Sequence, residues 1–189
     1  MKAFEKTDRR DEYTARWILR PGQDDRRQRI HQSQENGKDI ENGGVIMEKQ
    51  FLESYTGQTT DELIALKDKY RIDSLVLAFE QAIQNKEDSD LSEPERHILA
   101  IEAMEREVNN GGWEQFFGNT ENEFDESLSQ ALDAIGCPNT AQLSREAIDA
   151  SRDGADLEDF DVRYYALSES IEDRLFEYIS ANADAIKLD

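Results

Sequence analysis

The chain has 189 residues, with 43 acids against 22 bases and a formal net charge of -21. A charge of that size repels nucleic acid and anionic membrane and speeds encounter with basic proteins, so direct binding to DNA, RNA or lipid is not expected. A lone cysteine, Cys137, excludes an intrachain disulfide, and no apolar run approaches the roughly 18 residues of a membrane span, which makes the cytoplasm the expected location.

Residues 1–46 hold 9 acids and 10 bases, whereas residues 47–189 hold 34 acids and 12 bases, so the whole excess of negative charge follows Met47. The first segment is rich in Arg, Asp, Gln, Asn and Gly. Its one apolar cluster, Trp17-Ile18-Leu19, is cut off by Pro21-Gly22 and buries too little to order the segment. Residues 1–46 therefore read as a flexible, mostly disordered tail. With Gly43-Gly44 ahead of Met47, they also read as an upstream or artificial extension before a natural start at Met47.

Residues 50–189 read as one compact all-α, multi-helix domain, of a size that can bury a real core. Thr59-Thr60-Asp61-Glu62 is a helix-start signature. Ile72, Leu75, Val76, Phe79, Ala82 and Ile83 recur at three and four, forming one apolar stripe. Ser92-Glu93-Pro94-Glu95 has the form of a capping box, and Ile98, Ile101, Met104 and Val108 share a face of the helix that follows. That helix is expected to end at Asn109-Asn110-Gly111-Gly112, because glycine and asparagine tolerate the left-handed conformation. A short helical turn should follow at Trp113–Phe117. Leu128, Ala131, Leu132 and Ile135 mark the next helix, and Asn139 or Thr140 is a candidate cap for one running to about Ala150. An acidic connection over 152–161 then leads to a long last helix carrying Leu167, Ile171, Leu175 and Ile179. No alternating β-branched run suggests a strand.

Two features carry functional information. The first is acidic clustering. No lysine or arginine lies between Arg106 and Arg145, while Glu107, Glu114, Glu121, Glu123, Asp125, Glu126 and Asp133 do. Glu121, Glu123, Asp125 and Glu126 form one dense group, and Asp153, Asp156, Glu158, Asp159 and Asp161 form another. Duplex DNA carries a charge per roughly 1.7 Å and an α-helix rises about 1.5 Å per residue, so carboxylates a few residues apart can imitate a row of phosphates. Acids at helix starts also satisfy the helix dipole without any partner. The Asp153–Asp159 run lacks the ligand order of an EF-hand loop.

The second feature is the string Asn109-Asn110-Gly111-Gly112-Trp113-Glu114-Gln115-Phe116-Phe117. Its glycines allow a sharp reversal, its asparagines can satisfy open backbone groups, and Trp113, Phe116 and Phe117 suit a core. With Ala103–Val108 before it, Gly118-Asn119 after it and Ala131–Gly136 further on, it resembles a bacterial all-α family of uncharacterised function whose described member is a DNA-mimic protein. The resemblance spans roughly residues 70–185. It implies a small acidic helical protein that occupies the DNA-binding surface of a transcription regulator. The family's functional acids lie outside the motif, so none is carried over by position.

The sequence therefore points to a non-catalytic partner of a basic DNA-binding protein, with no direct nucleic-acid or membrane contact, and with a homodimer through the last helix compatible with such a target. The alternatives are an immunity-like inhibitor of a basic toxin nuclease, and a small-ligand binder or enzyme using a notch at Asn109–Trp113 with Gln115. No catalytic, cofactor or metal residues stand out. His31 and His97 lack partners at ligand spacing, and no phosphate loop or nucleophile elbow is present.

Overall fold

The computed structural model describes residues 48–188, so the expected tail over 1–46 lies outside the described residues. The described fold is all-α: α1 (Thr60–Ala65), α2 (Ile72–Ile83), α3 (Glu93–Thr120), α4 (Leu128–Ala134), α5 (Pro138–Arg152), α6 (Glu158–Tyr165) and α7 (Ile171–Ala181). Two 3-10 turns, at Asp88–Asp90 and Ala183–Ala185, complete it. Among the described residues there is no strand, only an isolated bridge between Gln50 and Tyr70.

Local chemistry sets the helix starts. Thr59 and Glu62 close a capping box at α1, and Ser92 and Glu95 close another at α3, with Pro94 in its first turn. The α3 helix is central: it packs on α2, α4, α5 and α6, while α2 also packs on α7. The fully buried side chains include Leu75 and Phe79 of α2, Ile98, Ile101 and Met104 of α3, Leu132 of α4 and Leu175 of α7. They are the apolar stripes of the individual helices, turned toward one another.

The ends of the described segment are strapped onto this core. An extended segment runs beside α2, with the Leu52 amide donating to Ser74 Oγ at 3.0 Å and the Tyr55 amide to Gln81 Oε1 at 2.8 Å. At the other end Ile186 is buried, and Thr60 Oγ1 donates to its carbonyl at 2.9 Å. Glu95, 1% exposed, accepts from the Lys187 amide at 2.8 Å and from Lys86 Nζ at 3.0 Å. One carboxylate thus closes the start of α3 and holds the C-terminal strap.

The last helix and the start of α5 differ from the sequence expectation. The long last helix is two helices, because residues 166–170 leave the helical path. Glu169 within that stretch reaches α5 instead, accepting from the Asn139 and Thr140 amides at 3.0 and 2.8 Å and from the Thr140 hydroxyl at 2.6 Å. This also corrects the capping expectation. The α5 helix begins at Pro138, and neither Asn139 nor Thr140 caps it; a carboxylate from a distant loop does. Burial raises the Glu169 pKa, but the bonds from Thr140 and Asn139 outweigh it and hold the carboxyl below its ordinary value.

A carboxyl lowered in the fold stabilises above its unfolded value, and the benefit is lost as pH falls through the folded one. Glu169→Ala is therefore expected to cost about 1 kcal/mol at pH 7 in denaturant unfolding. The difference from the parent should shrink as pH drops below 4.5, and a difference that persists at lower pH would contradict the cap.

Candidate protein-interaction surface

The Asn-Asn-Gly-Gly string does not end α3. The helix breaks and resumes, with Gly111 at φ -159°, ψ 18° and Gly112 at φ 81°, ψ -176°. Gly112 occupies a region that side chains rarely adopt, and a Cβ there would overlap the Asp161 carboxylate. That carboxylate accepts from the Trp113 amide at 2.8 Å, so Asp161 of α6 caps the second half of α3.

The polar residues around the break face inward. Glu107, fully buried, accepts from Gln115 Nε2 at 2.9 Å, from Asn119 Nδ2 at 2.7 Å and from Arg106 Nε at 3.4 Å. Asn109 Nδ2 donates to the Glu105 carbonyl at 2.7 Å, and Glu105 in turn accepts from the Tyr164 hydroxyl. Trp113 and Phe116 have no exposed surface, Phe117 is 7% exposed, and Trp113 stacks edge-on with Tyr164 at 6.2 Å between centroids. Asn109 and Gln115, one on each side of the break, thus both engage groups of the first half of α3. Asn110 is half-buried at the same place.

Several acids that inflate the sequence charge are inside the fold. Glu80, Glu95, Glu105 and Glu107 are buried, and Arg106 bridges Glu80 and Glu107. Burial, with the neighbouring Glu80 and Glu105 carboxylates, pushes Glu102 well above the usual carboxylate range against the pull of Arg106. The lone thiol is also inward: Cys137 is buried, and burial pushes its pKa up to about 11. His97 is buried too, its Nδ1 hydrogen-bonded with the Tyr178 hydroxyl at 2.8 Å.

Exposed acids occur on many elements, and two groups of them lie on adjoining turns. The chain leaves α3 through Glu121 at φ 50° and Asn122 at φ 63°, turns over the half-buried Phe124 and enters α4. Arg152, in the last turn of α5, reaches this turn and pairs with Asp125 at 3.2 Å. The ion pair sets the 121–126 turn beside the exit from α5, where Gly154 (φ 68°) reverses the chain and Asp156 Oδ1 accepts from the Glu158 amide at 2.9 Å. Glu121, Glu123, Glu126, Asp153, Asp156, Glu158 and Asp159 are exposed, whereas Asp125 and Asp161 are half-buried. Burial raises the Asp125 pKa despite Arg152.

The stretch that lacks bases in sequence does not lack them in space. Arg106 reaches Glu107, Arg145 pairs with Asp133 at 3.0 Å, and Arg152 takes Asp125. Nor do the exposed acids of these two groups form a row along one helix; they sit on two turns and the first turn of α6. The arginine that ties the turns together leaves no local signal, because Arg152 lies 27 residues from its partner.

The described residues thus form an acidic, all-α fold in which two adjoining turns carry groups of exposed carboxylates. Residues 89–182, from the turn before α3 to the end of α7, match the family model described as DMP19-like protein, so this part of the chain is similar to that family. No curated protein matches the chain, and no solved structure does. No helix among the described residues is long and apolar enough to cross a membrane.

Two outcomes test the architecture. Gly112→Ala is expected to lower stability by at least about 2 kcal/mol, from the positive φ and the overlap with Asp161. The loss should be smaller in an Asp161→Ala background, and an equal loss in both would show that Asp161 does not fill the break. Glu102 carries the opposite sign from Glu169: a carboxyl raised in the fold weakens it when ionised. Glu102→Gln should raise the melting temperature by several degrees at pH 7, with the gain vanishing below 4.5, and a gain constant with pH would refute the charge argument.

Proposed function

We propose that the protein is a non-catalytic interaction protein whose acidic turns cover the DNA-binding surface of a basic transcription regulator, in the place DNA would take. The observation that carries this reading is the juxtaposition of the 121–126 turn and the 153–159 segment through Arg152 and Asp125. It concentrates exposed carboxylates at one place on a segment, residues 47–189, with 34 acids and 12 bases. The similarity to DMP19-like proteins and the Asn-Asn-Gly-Gly resemblance are in keeping with it. The Arg152–Asp125 pair and the turn hydrogen bonds set the charges in place before the partner arrives, which lowers the ordering entropy that opposes binding. The attraction acts over about a Debye length of 8–10 Å and weakens with salt.

Affinity capture from native lysate at low and high salt tests the reading. A DNA-binding protein should be retained at low salt and released by duplex DNA. Lysine substitutions at Glu123, Glu126, Asp153 and Asp159 should weaken its binding by about tenfold or more without lowering the melting temperature. Recovery of no basic partner, or of one that DNA leaves in place, would reject the proposal; a basic nuclease in its stead would favour an immunity role.

A further inference from the structure

The outer face of α6 holds the most exposed large apolar side chains among the described residues: Val162 is 65% exposed and Tyr165 48%. Phe51, at 39%, is the other such residue, and it lies under the Arg71 guanidinium at 5.7 Å. Among the described residues nothing comparable covers Val162. Helical spacing sets Glu158, Asp159, Val162 and Tyr165 on one side of α6, while Asp161 and Tyr164 on the other side hold α3. The face therefore reads as two carboxylates followed, one and two turns on, by an aliphatic and an aromatic group.

The face is also preorganised. The Tyr165 hydroxyl donates to the Val108 carbonyl at 3.0 Å, and its ring packs edge-on against Tyr164 at 5.5 Å between centroids. The nearest base on the helix, Arg163, is turned to Glu146 of α5 and lies over the Phe160 ring at 5.1 Å. An apolar group left in water beside fixed charges is the pattern of an interface, where a dry centre is bordered by polar contacts.

We propose that this face is an apolar docking strip for a cationic protein surface that carries an exposed aliphatic side chain roughly 6–10 Å from an arginine or lysine, the spacing of one to two turns of a partner helix. The inference rests on the proposed acidic-partner reading and adds to it what the carboxylates alone do not supply, discrimination among basic partners. Charge complementarity selects the occupant. Nucleic acid and anionic lipid are repelled by Glu158 and Asp159, and a second copy of the chain would bring the same carboxylates against them.

The test uses the full chain and two synthetic helical peptides of equal arginine content. One carries leucine at every third or fourth position and the other carries glutamine there. Burial of one valine-sized contact corresponds to a tenfold gain or about that, so the leucine peptide should bind about tenfold more tightly, with amide shifts centred on residues 158–166. Val162→Ser should abolish the advantage while leaving binding of the glutamine peptide unchanged; unaltered amide shifts elsewhere will show that the variant is folded. Equal, salt-sensitive binding of both peptides to the parent overturns the strip and leaves the acidic reading standing. Failure of both to bind at low salt overturns the two together. A concentration-dependent dimer in sedimentation that Val162→Ser dissociates assigns the face to a second copy and also overturns the proposal.

Discussion

The break in α3 at Gly111–Gly112 is the constraint on which the other helices depend. Without it, 28 residues would run as one rod, and the aromatic groups of its second half would point away from the first half's core face. Only a residue without a Cβ lets the Asp161 carboxylate come close enough to take the Trp113 amide. The two halves are then tied across the break by Glu107 before it and Gln115 and Asn119 after it. A buried carboxylate is expensive unless its lone pairs are met, and here two amide groups and Arg106 meet them. Truncating any one of these partners would leave a charge stranded inside, so the motif behaves as a unit.

The same economy of carboxylates governs the rest of the molecule. Glu95 holds the C-terminal strap, Glu169 closes the start of α5, Glu105 receives Tyr164 and Asp161 fills the break. Formal charge is thus a poor guide to surface charge in this fold. These four carboxylates join elements distant in sequence, and the exposed acids of the 121–126 and 153–159 groups lie on turns whose shapes are set by Phe124, Gly154 and the Asp125–Arg152 pair.

How much could be read in advance follows from the range of each interaction. Capping boxes and apolar stripes are local, so α1, α2 and the start of α3 were legible from Thr59, Ser92 and the spacing of Leu75, Val76 and Phe79. The all-α class followed from the same periodicity. Partners 29 to 48 residues apart leave no local trace, which is why Glu169 as the cap of α5 and Asp161 as the cap within α3 were missed. The division of the last helix was hidden for the same reason. Leu167 keeps the apolar spacing of Ile171 and Leu175, but Glu169 between them is drawn to α5. A signal for the α3 break was present, since paired glycines ahead of a tryptophan are hard to place inside an unbroken helix.

The attachment of α6 has an optical consequence. Trp113 is the only tryptophan among the described residues, and its indole nitrogen has no hydrogen-bond partner there. Its ring meets Tyr164 on the inner side of the helix whose outer side carries Val162, and its amide is held by Asp161 of that helix. A displacement of α6 therefore changes the polarity and quenching around one buried fluorophore. The molecule carries an internal dye whose emission reports on the seating of its most exposed helix, without a label on the surface.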